Sequence, residues 1–159
     1  MNRVQISAAD APLPQWSTSL QRFAIKALAC LGRDKWDLSV LLCGDKTIGE
    51  LNSRYRGKTE ATDVLSFSLS EGNAFPTSRR NPPQRFLPGD IVISLDTLRK
   101  NAARFKITED EELRRLLIHG ILHLDGMDHR TNGTAEPMLQ LQEHILAELA
   151  EEHILGRNV

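Results

Sequence analysis

Hydrophobic and polar residues recur with two different periods along the chain, and together they predict a fold of mixed helices and strands. Alternating or wholly apolar short runs predict strands, and apolar residues every three or four positions predict helices. The predicted strands cover residues 3–7, 37–43, 63–69 and 90–94. The predicted helices cover residues 15–31, 45–55, 96–105, about 108–124, and from about 134 onward. The fourth helix has the clearest start, because Thr108 and Glu111 form a capping box. We therefore predict an α+β fold, with about five helices packed on a small mixed sheet of about four strands.

The chain has the length and composition of one ordinary globular domain. Its 159 residues can bury a core but are too few for two ordinary domains, so we treat residues 1–159 as a single domain. Hydrophobic residues make up 40% and charged residues 26%, as in folded proteins. We find no apolar leader and no run of about 18 apolar residues. Two cysteines, Cys30 and Cys43, fit a reducing compartment. These features predict a cytoplasmic protein with no membrane segment.

The net charge of −1 conceals an uneven distribution of charge. Residues 54–106 contain ten basic and five acidic residues, whereas residues 107–159 contain four basic and eleven acidic residues. Residues 70–89 hold four of the seven prolines and predict a basic surface loop. A basic segment suits a polyanion such as RNA, because neutralising phosphates releases counterions. From charge alone, the simpler interpretation is a set of solvated surface charges.

The most informative segment is HGILHLDGMDH, residues 119–129. His119 and His123 are four residues apart, so on a helix they lie on one face and can reach a single ion. Gly126 can adopt the left-handed conformation that ends a helix, and the chain can then bring His129 to the same ion. Three imidazoles on a tetrahedral metal leave one position open, which is typical of catalytic sites.

The histidine spacing, with a glycine before the third histidine, is the same as in the metzincin proteases, H-E-x-x-H-x-x-G-x-x-H. Gly120 stands where those proteases have the glutamate that acts as general base. A peptidase of that mechanism would lack its base here, which argues against proteolysis. In a helix, Gly120 costs roughly 1 kcal/mol relative to alanine. It could clear space for a substrate beside the metal or let a neighbouring strand approach.

Three segments, in this order, resemble the YbeY family of bacterial endoribonucleases. LNSRYRGKTEATDVLSF at residues 51–67 resembles the family's L-N-x-x-Y-R-x-x-x-x-x-T-D-V-L-S-F segment. GDIVIS at residues 89–94 resembles its G-D-I-x-I-x strand. Residues 119–129 match the signature H-G-x-L-H-L-x-G-x-D-H at every fixed position. The resemblance covers the chain from about residue 40 to residue 150.

The resemblance implies metal-dependent cleavage of single-stranded RNA by this chain. It implies maturation of the 3′ end of 16S rRNA and ribosome quality control, with rRNA, the small ribosomal subunit and its assembly factors as partners. It also implies that His119, His123 and His129 act in catalysis as metal ligands, and that Arg56 is a catalytic arginine whose planar guanidinium suits phosphate. Because the ligands are imidazoles, we expect one zinc ion per chain, or another divalent metal.

Other polar residues have weaker signals. Candidates for contacts with the RNA backbone are Arg54, Lys58, Arg79, Arg80 and Arg85. Arg56 itself could instead be an ordinary surface residue at a helix end. Asp128 could orient a ligand histidine or cap the turn, and we expect His144 and His153, on the acidic last helix, at the surface. The attacking oxygen could come from water or from the 2′-hydroxyl of the RNA.

Two other functions remain open at this point. One is a metal-dependent hydrolase of another bond, such as a protease. The other is a non-catalytic ribosome assembly factor whose metal is structural. The missing glutamate at position 120 argues against the first, and the open coordination position argues against the second.

Overall fold

The computed structural model describes residues 1–69, 85–157 and 159. Its strands are β1 (Arg3–Ala8), β2 (Trp36–Cys43), β3 (Val64–Ser68) and β4 (Phe86–Ser94). Its helices are α1 (Ser17–Cys30), α2 (Asp45–Arg56), α3 (Leu95–Phe105), α4 (Glu109–Leu124) and α5 (Pro137–Glu148). These four strands and five helices, counted over the described residues, confirm the predicted α+β class. Within the same ranges, no helix combines the length and the apolar character needed to cross a bilayer.

Strand β4 begins four residues earlier than the sequence pattern predicts, because its first residues pair with a distant strand. The pattern places residues 86–89 in the basic loop, but Phe86 pairs with Trp36 of β2, and their ring centroids are 5.0 Å apart. The register of this pairing shifts just after Trp36, so Pro88 lies at an irregularity where its missing N–H is tolerated. Residues 70–84 of the predicted loop lie outside the described residues.

The last helix is shorter than predicted at both ends. Helix α5 starts at Pro137, in the first helical position, where a proline needs no N–H partner. It ends at Glu148, so His153 lies beyond it, whereas the sequence pattern places His153 on the helix. His153 is also not a free surface residue, since its Nδ1 lies 3.1 Å from Oδ2 of Asp110 at the start of α4. The chain after α5 therefore folds back onto α4.

The sheet is mixed, with the strand order β1-β2-β4-β3. Strands β1, β2 and β4 are parallel, and the edge strand β3 is antiparallel to β4. Because successive side chains of a strand point to opposite faces, Ser66 lies on one face of β3 and its neighbours Leu65 and Phe67 lie on the other. The register of β3 therefore determines which of its side chains reach helix α4.

The two faces of the sheet are covered by different helices. The larger core cluster joins the sheet to α1, α4 and α5 and includes Leu20, Ile91 and Ile145. On the opposite face, α2 packs through Ile48 against Leu65 in a smaller cluster. Helix α4 is the most deeply buried helix of the described chain, with eleven buried residues out of sixteen. Polar side chains on its last turns are thus held by a rigid element.

Candidate metal centre

Helix α4 carries two of the three histidines on one face. The helix start is capped by Thr108, whose Oγ1 accepts a hydrogen bond of 3.0 Å from the N–H of Glu111. Near the other end, the Nε2 atoms of His119 and His123 are 3.0 Å apart, and the ring centroids are 4.6 Å apart. The i, i+4 spacing therefore directs both imidazoles toward one point, as the sequence predicts.

A tight turn brings the third imidazole to the other two. Gly126 has φ +94°, in the region that favours glycine, and its N–H donates to the carbonyl of His123 at 3.0 Å. The ring centroid of His129 then lies 5.2 Å from that of His119 and 5.6 Å from that of His123. One ring nitrogen of each histidine lies within 4.8 Å of the other two, so the cluster could hold a metal ion.

Each imidazole is oriented by an oxygen atom on its Nδ1 side. The contacts are His119 Nδ1 to Gln142 Oε1 at 2.6 Å, His123 Nδ1 to the Met127 carbonyl at 3.1 Å, and His129 Nδ1 to the Thr131 carbonyl at 2.8 Å. Because these oxygens accept, each Nδ1 carries the proton and each Nε2 presents a lone pair. Two such lone pairs, on His119 and His123, face each other at 3.0 Å. A cation between them would stabilise this arrangement.

Burial lowers the pKa of the two helical histidines. For His119, burial is the largest cause, the hydrogen bond with Gln142 acts in the opposite direction, and nearby His129 lowers the pKa further. For His123, burial is again the largest cause, followed by the proximity of His119. Both lowered pKa values favour the neutral imidazole, which is the form that binds metals.

Gly120 lets the sheet approach helix α4, which decides between the two roles that the sequence allows. A Cβ atom at this position would lie 2.9 Å, 3.0 Å and 3.1 Å from three side-chain atoms of Ile91, a fully buried residue of β4. On the β3 side, Oγ of Ser66 donates to the carbonyl of Gly120 at 3.4 Å. The space beside Gly120 is therefore filled by the sheet and is not open to a substrate.

A cleft of about 490 Å³ lies between the edge strand and the histidine turn. His119 and His123 line one side of it, and Ser66 and Ser68 of β3 line the other. Arg56, the last residue of α2, also lines the cleft, and its Nη2 donates to the carbonyl of Ser66 at 3.1 Å. The structure thus brings Arg56 and the histidines together, although at least 63 residues separate them in the sequence.

The other basic candidates lie in different places. Arg54 and Lys58 are exposed, on either side of Arg56 in the chain. Arg85, just before β4, is engaged elsewhere, since its Nε donates to Oδ1 of Asp37 at 2.6 Å, and it does not line the cleft. Arg79 and Arg80 lie outside the described residues.

Asp128 caps the histidine turn. Its Oδ1 accepts a hydrogen bond of 2.8 Å from the N–H of His129. The same oxygen is 4.0 Å from Nδ1 of His123, which is too far for a hydrogen bond. Of the two roles that the sequence leaves open for Asp128, the geometry favours the cap.

Gln142 is the site residue that sequence reasoning missed. It lies on the apolar stripe of α5, four residues after Met138 and three before Ile145, and it is only 7% exposed. A polar residue in such a stripe must find a partner inside the protein, and here the partner is His119. That interruption of the stripe was the available sequence signal.

The chain is similar to proteins of one family over most of its length. The family model described as Endoribonuclease YbeY matches residues 3–150. Endoribonuclease YbeY of Treponema pallidum (strain Nichols) is 42% identical over 148 residues, covering 93% of this chain and 90% of that protein. The protein of the same name from Treponema denticola is 41% identical over 146 residues, covering 91% and 92%. The solution structure of TM1509 from Thermotoga maritima matches with a TM-score of 0.56 and 25% identity, covering 98% of this chain and 97% of that chain.

Proposed function

Because the chain belongs to the YbeY family of endoribonucleases, we propose that it cleaves single-stranded RNA with one zinc ion held by His119, His123 and His129. The observation that carries this proposal is the convergence of three oriented imidazoles beside a cleft that Arg56 also lines. Histidine pairs and single arginines are common in proteins. Their combination, with each imidazole held by an oxygen, suits phosphodiester chemistry.

The donor set suits zinc in its chemistry, and the spacing of the two helical ligands is close to that of a tetrahedral site. Imidazole nitrogens suit zinc, whereas magnesium and calcium prefer oxygen ligands. Zinc–nitrogen bonds of about 2.0–2.1 Å in a tetrahedron place two nitrogens roughly 3.3 Å apart. The Nε2 atoms of His119 and His123 are 3.0 Å apart, and a nitrogen of His129 lies within 4.8 Å of both ligand atoms. When bound, the metal would supply Lewis acidity toward a phosphate oxygen and toward water.

For Arg56 we propose binding of the phosphate that reacts. One hydrogen bond, to the carbonyl of Ser66, fixes the guanidinium at the wall of the cleft. Among the described residues this is its one hydrogen bond, so its other N–H donors are available to a phosphodiester. We assign Arg56 the stabilisation of the charge that develops on the phosphate oxygens, for which a planar, permanently charged group is well suited.

Two features of the cleft favour RNA over a peptide. Among the described residues that line the cleft, Asp128 is the only acidic one, and its Oδ1 accepts a hydrogen bond from the N–H of His129. The helix position that carries the general base in the zinc proteases is occupied by Gly120. The volume of about 490 Å³ is in the range of small-molecule sites. We infer that a nucleotide enters without a paired strand, which accounts for a preference for single strands.

We further propose a cellular role in the cytoplasm, in maturation of the 3′ end of 16S rRNA and in ribosome quality control. The RNA would then be rRNA, presented by the small ribosomal subunit and its assembly factors. The support for this role is the resemblance of three sequence segments to the family. Arg54 and Lys58, exposed beside Arg56, would contact the RNA backbone, and Arg79, Arg80 and Arg85 are further candidates.

The experiment is a substrate panel for the zinc-loaded protein: single-stranded RNA, duplex RNA, DNA of the same sequence, and casein. We expect cleavage of single-stranded RNA, and its loss in both His123→Ala and Arg56→Ala. Arg104→Ala, an exposed arginine of α3, is the matched control and should cleave like the wild type. Cleavage of casein with intact RNA would overturn the nuclease assignment. Binding of ribosomal subunits without any cleavage would favour the assembly factor.

A further inference from the structure

The three atoms that orient the imidazoles are all electrically neutral, and one of them belongs to a buried side chain. Two are backbone carbonyls, and the third is the carboxamide oxygen of Gln142. We propose that Gln142 is a positioning residue that fixes His119 for metal binding and, being neutral, leaves the positive charge of the metal available to an anionic phosphodiester. This inference rests on the proposed zinc site.

Two contacts orient the carboxamide of Gln142. Its Oε1 lies 2.6 Å from Nδ1 of His119, and its Nε2 donates to Oε2 of Glu143 at 3.3 Å. Glu143 is in turn held by two nitrogens of Arg115, at 3.1 Å and 2.9 Å. The carboxylate of Glu143 requires the amide nitrogen on its side, which leaves the amide oxygen for the histidine. His119 is therefore held as the tautomer whose Nε2 faces the other imidazoles.

The nearest carboxylates do not replace the neutral acceptor. Asp63 accepts hydrogen bonds from the N–H of Val64 at 2.8 Å and from Nδ2 of Asn101 at 3.2 Å. Asp128 is used by the N–H of His129, and its side chain is 87% exposed. Among the described residues, no carboxylate accepts a hydrogen bond from any of the three imidazoles.

The charge of the orienting group has a predictable effect on a metal site. A carboxylate on a ligand histidine raises the basicity of the imidazole and offsets part of the charge of the metal. A carboxamide fixes the ring equally well but adds no negative charge. A divalent ion on three neutral imidazoles with neutral acceptors keeps its charge, and bound ions are often the largest charges in such a site. Substrates that carry a negative charge, such as phosphodiesters, are therefore favoured.

The test compares Gln142→Glu, Gln142→Leu and the control Gln140→Glu, which adds the same charge at an exposed position of α5. Zinc affinity is measured by competition with a chelator, and inorganic phosphate binding to the zinc-loaded proteins is measured by calorimetry. We expect Gln142→Leu to bind zinc about 10-fold or more weakly. We expect Gln142→Glu to bind zinc at least as tightly as the wild type, and phosphate about 10-fold more weakly. Gln140→Glu should change neither affinity more than about twofold.

Each variant tests one half of the inference. Wild-type zinc affinity in a folded Gln142→Leu would overturn the positioning role. Unchanged phosphate affinity in Gln142→Glu would overturn the role of the neutral charge. Thermal unfolding of the metal-free variants shows whether each variant is folded. If Gln142→Glu does not fold, Gln142→Leu still tests the positioning role. If the wild type bound no zinc, the proposed function itself would fail, an outcome distinct from both.

Discussion

Two histidines make contacts through Nδ1 near opposite ends of helix α4, one with a carboxylate of the helix itself and the other with a carboxamide of α5. At the N-terminal end, Nδ1 of His153 lies 3.1 Å from the carboxylate of Asp110, whose side chain is 2% exposed. At the C-terminal end, Nδ1 of His119 is held by the neutral carboxamide of Gln142. His153 belongs to a network of charged groups within the protein, whereas His119 directs the lone pair of its Nε2 atom toward the cleft.

At the N-terminal end, groups of the protein itself contact both carboxylate oxygens of Asp110. Oδ1 of Asp110 accepts the N–H groups of Ile154 at 2.6 Å and Leu155 at 2.8 Å, and its Oδ2 accepts from Nε of Arg114 at 2.9 Å. Every partner at this end stabilises the fold. At the other end, the Nδ1 atoms of the three imidazoles face oxygens and the Nε2 atoms of His119 and His123 face each other, so these Nε2 atoms can bind a ligand. Helix α4 thus carries a network internal to the protein at one end and the candidate metal ligands at the other.

The largest expected effect is on stability, from Asp110→Ala. Removing this carboxylate leaves Arg114 buried without its partner and frees the segment after α5, which we expect to cost about 3–5 kcal/mol. Urea denaturation of the metal-free protein measures it. The neighbouring Glu109→Ala is the control and should cost less than about 1 kcal/mol, because its pair with Arg99 is exposed and 3.9 Å long. Wild-type stability in Asp110→Ala would contradict a structural role for this end.

The next effect is on activity, from His123→Ala. Loss of a direct ligand should reduce RNA cleavage more than about 100-fold, since even groups that only orient a ligand are worth 10–100-fold in such sites. The metal-free protein should keep its stability within roughly 1 kcal/mol, because the imidazoles contribute little to folding. His144→Ala, which removes an exposed histidine 2.8 Å from Glu148, should cleave RNA normally. Equal losses in both variants would mean that cleavage does not use this cluster.

A smaller effect is expected at Gly120, between the two ends. Gly120→Ala gains about 1 kcal/mol of helix propensity but forces a methyl group against Ile91, a strain of about 1–3 kcal/mol. We expect a net loss of roughly 1 kcal/mol by urea denaturation, together with slower RNA cleavage as the histidines shift. In an Ile91→Ala background the strain disappears, so the same change should become neutral or stabilising. A loss of equal size in both backgrounds would show that contact with Ile91 is not the cause.

The smallest expected effect is on how the stability of the protein depends on pH. Burial acts to raise the pKa of Asp110, but the N–H groups of Leu155 and Ile154, His153 and Arg114 together lower it below its ordinary value of 3.8. A carboxyl group with a lowered pKa in the folded state stabilises the protein above its unfolded pKa, and that contribution is lost as pH falls through the folded pKa. Urea denaturation below about pH 4 should show a steeper loss of stability in the wild type than in Asp110→Asn. If stability fell equally steeply with pH in both proteins, a lowered pKa of Asp110 in the folded state would be contradicted.

Local signals made much of the fold and the metal cluster predictable from the sequence. The cap formed by Thr108, the helical spacing of His119 and His123, and the turn at Gly126 each depend on neighbouring residues. The proposed role of Arg56 comes from resemblance to a family, since a single arginine at a helix end carries no signal of its own. The structure adds its place in the cleft.

Features that depend on distant pairing could not be predicted in the same way. The early start of β4 comes from pairing with Trp36, fifty residues away. Arg85 meets Asp37, and Asp110 meets the segment that contains His153, each across more than forty residues. From the sequence, Asp110 is one of four acidic residues in a first helical turn, typical of a solvated helix start. Only tertiary packing shows that it is buried.

The most direct test of the account is a zinc titration of the metal-free protein, with the initial rate of single-stranded RNA cleavage as the readout. If His119, His123 and His129 hold the ion that cleavage requires, the rate should rise from near zero and level off at one zinc per chain. His123→Ala should show no rise over the same range. Full activity in the metal-free protein, or an equal rise in His123→Ala, would contradict the central claim.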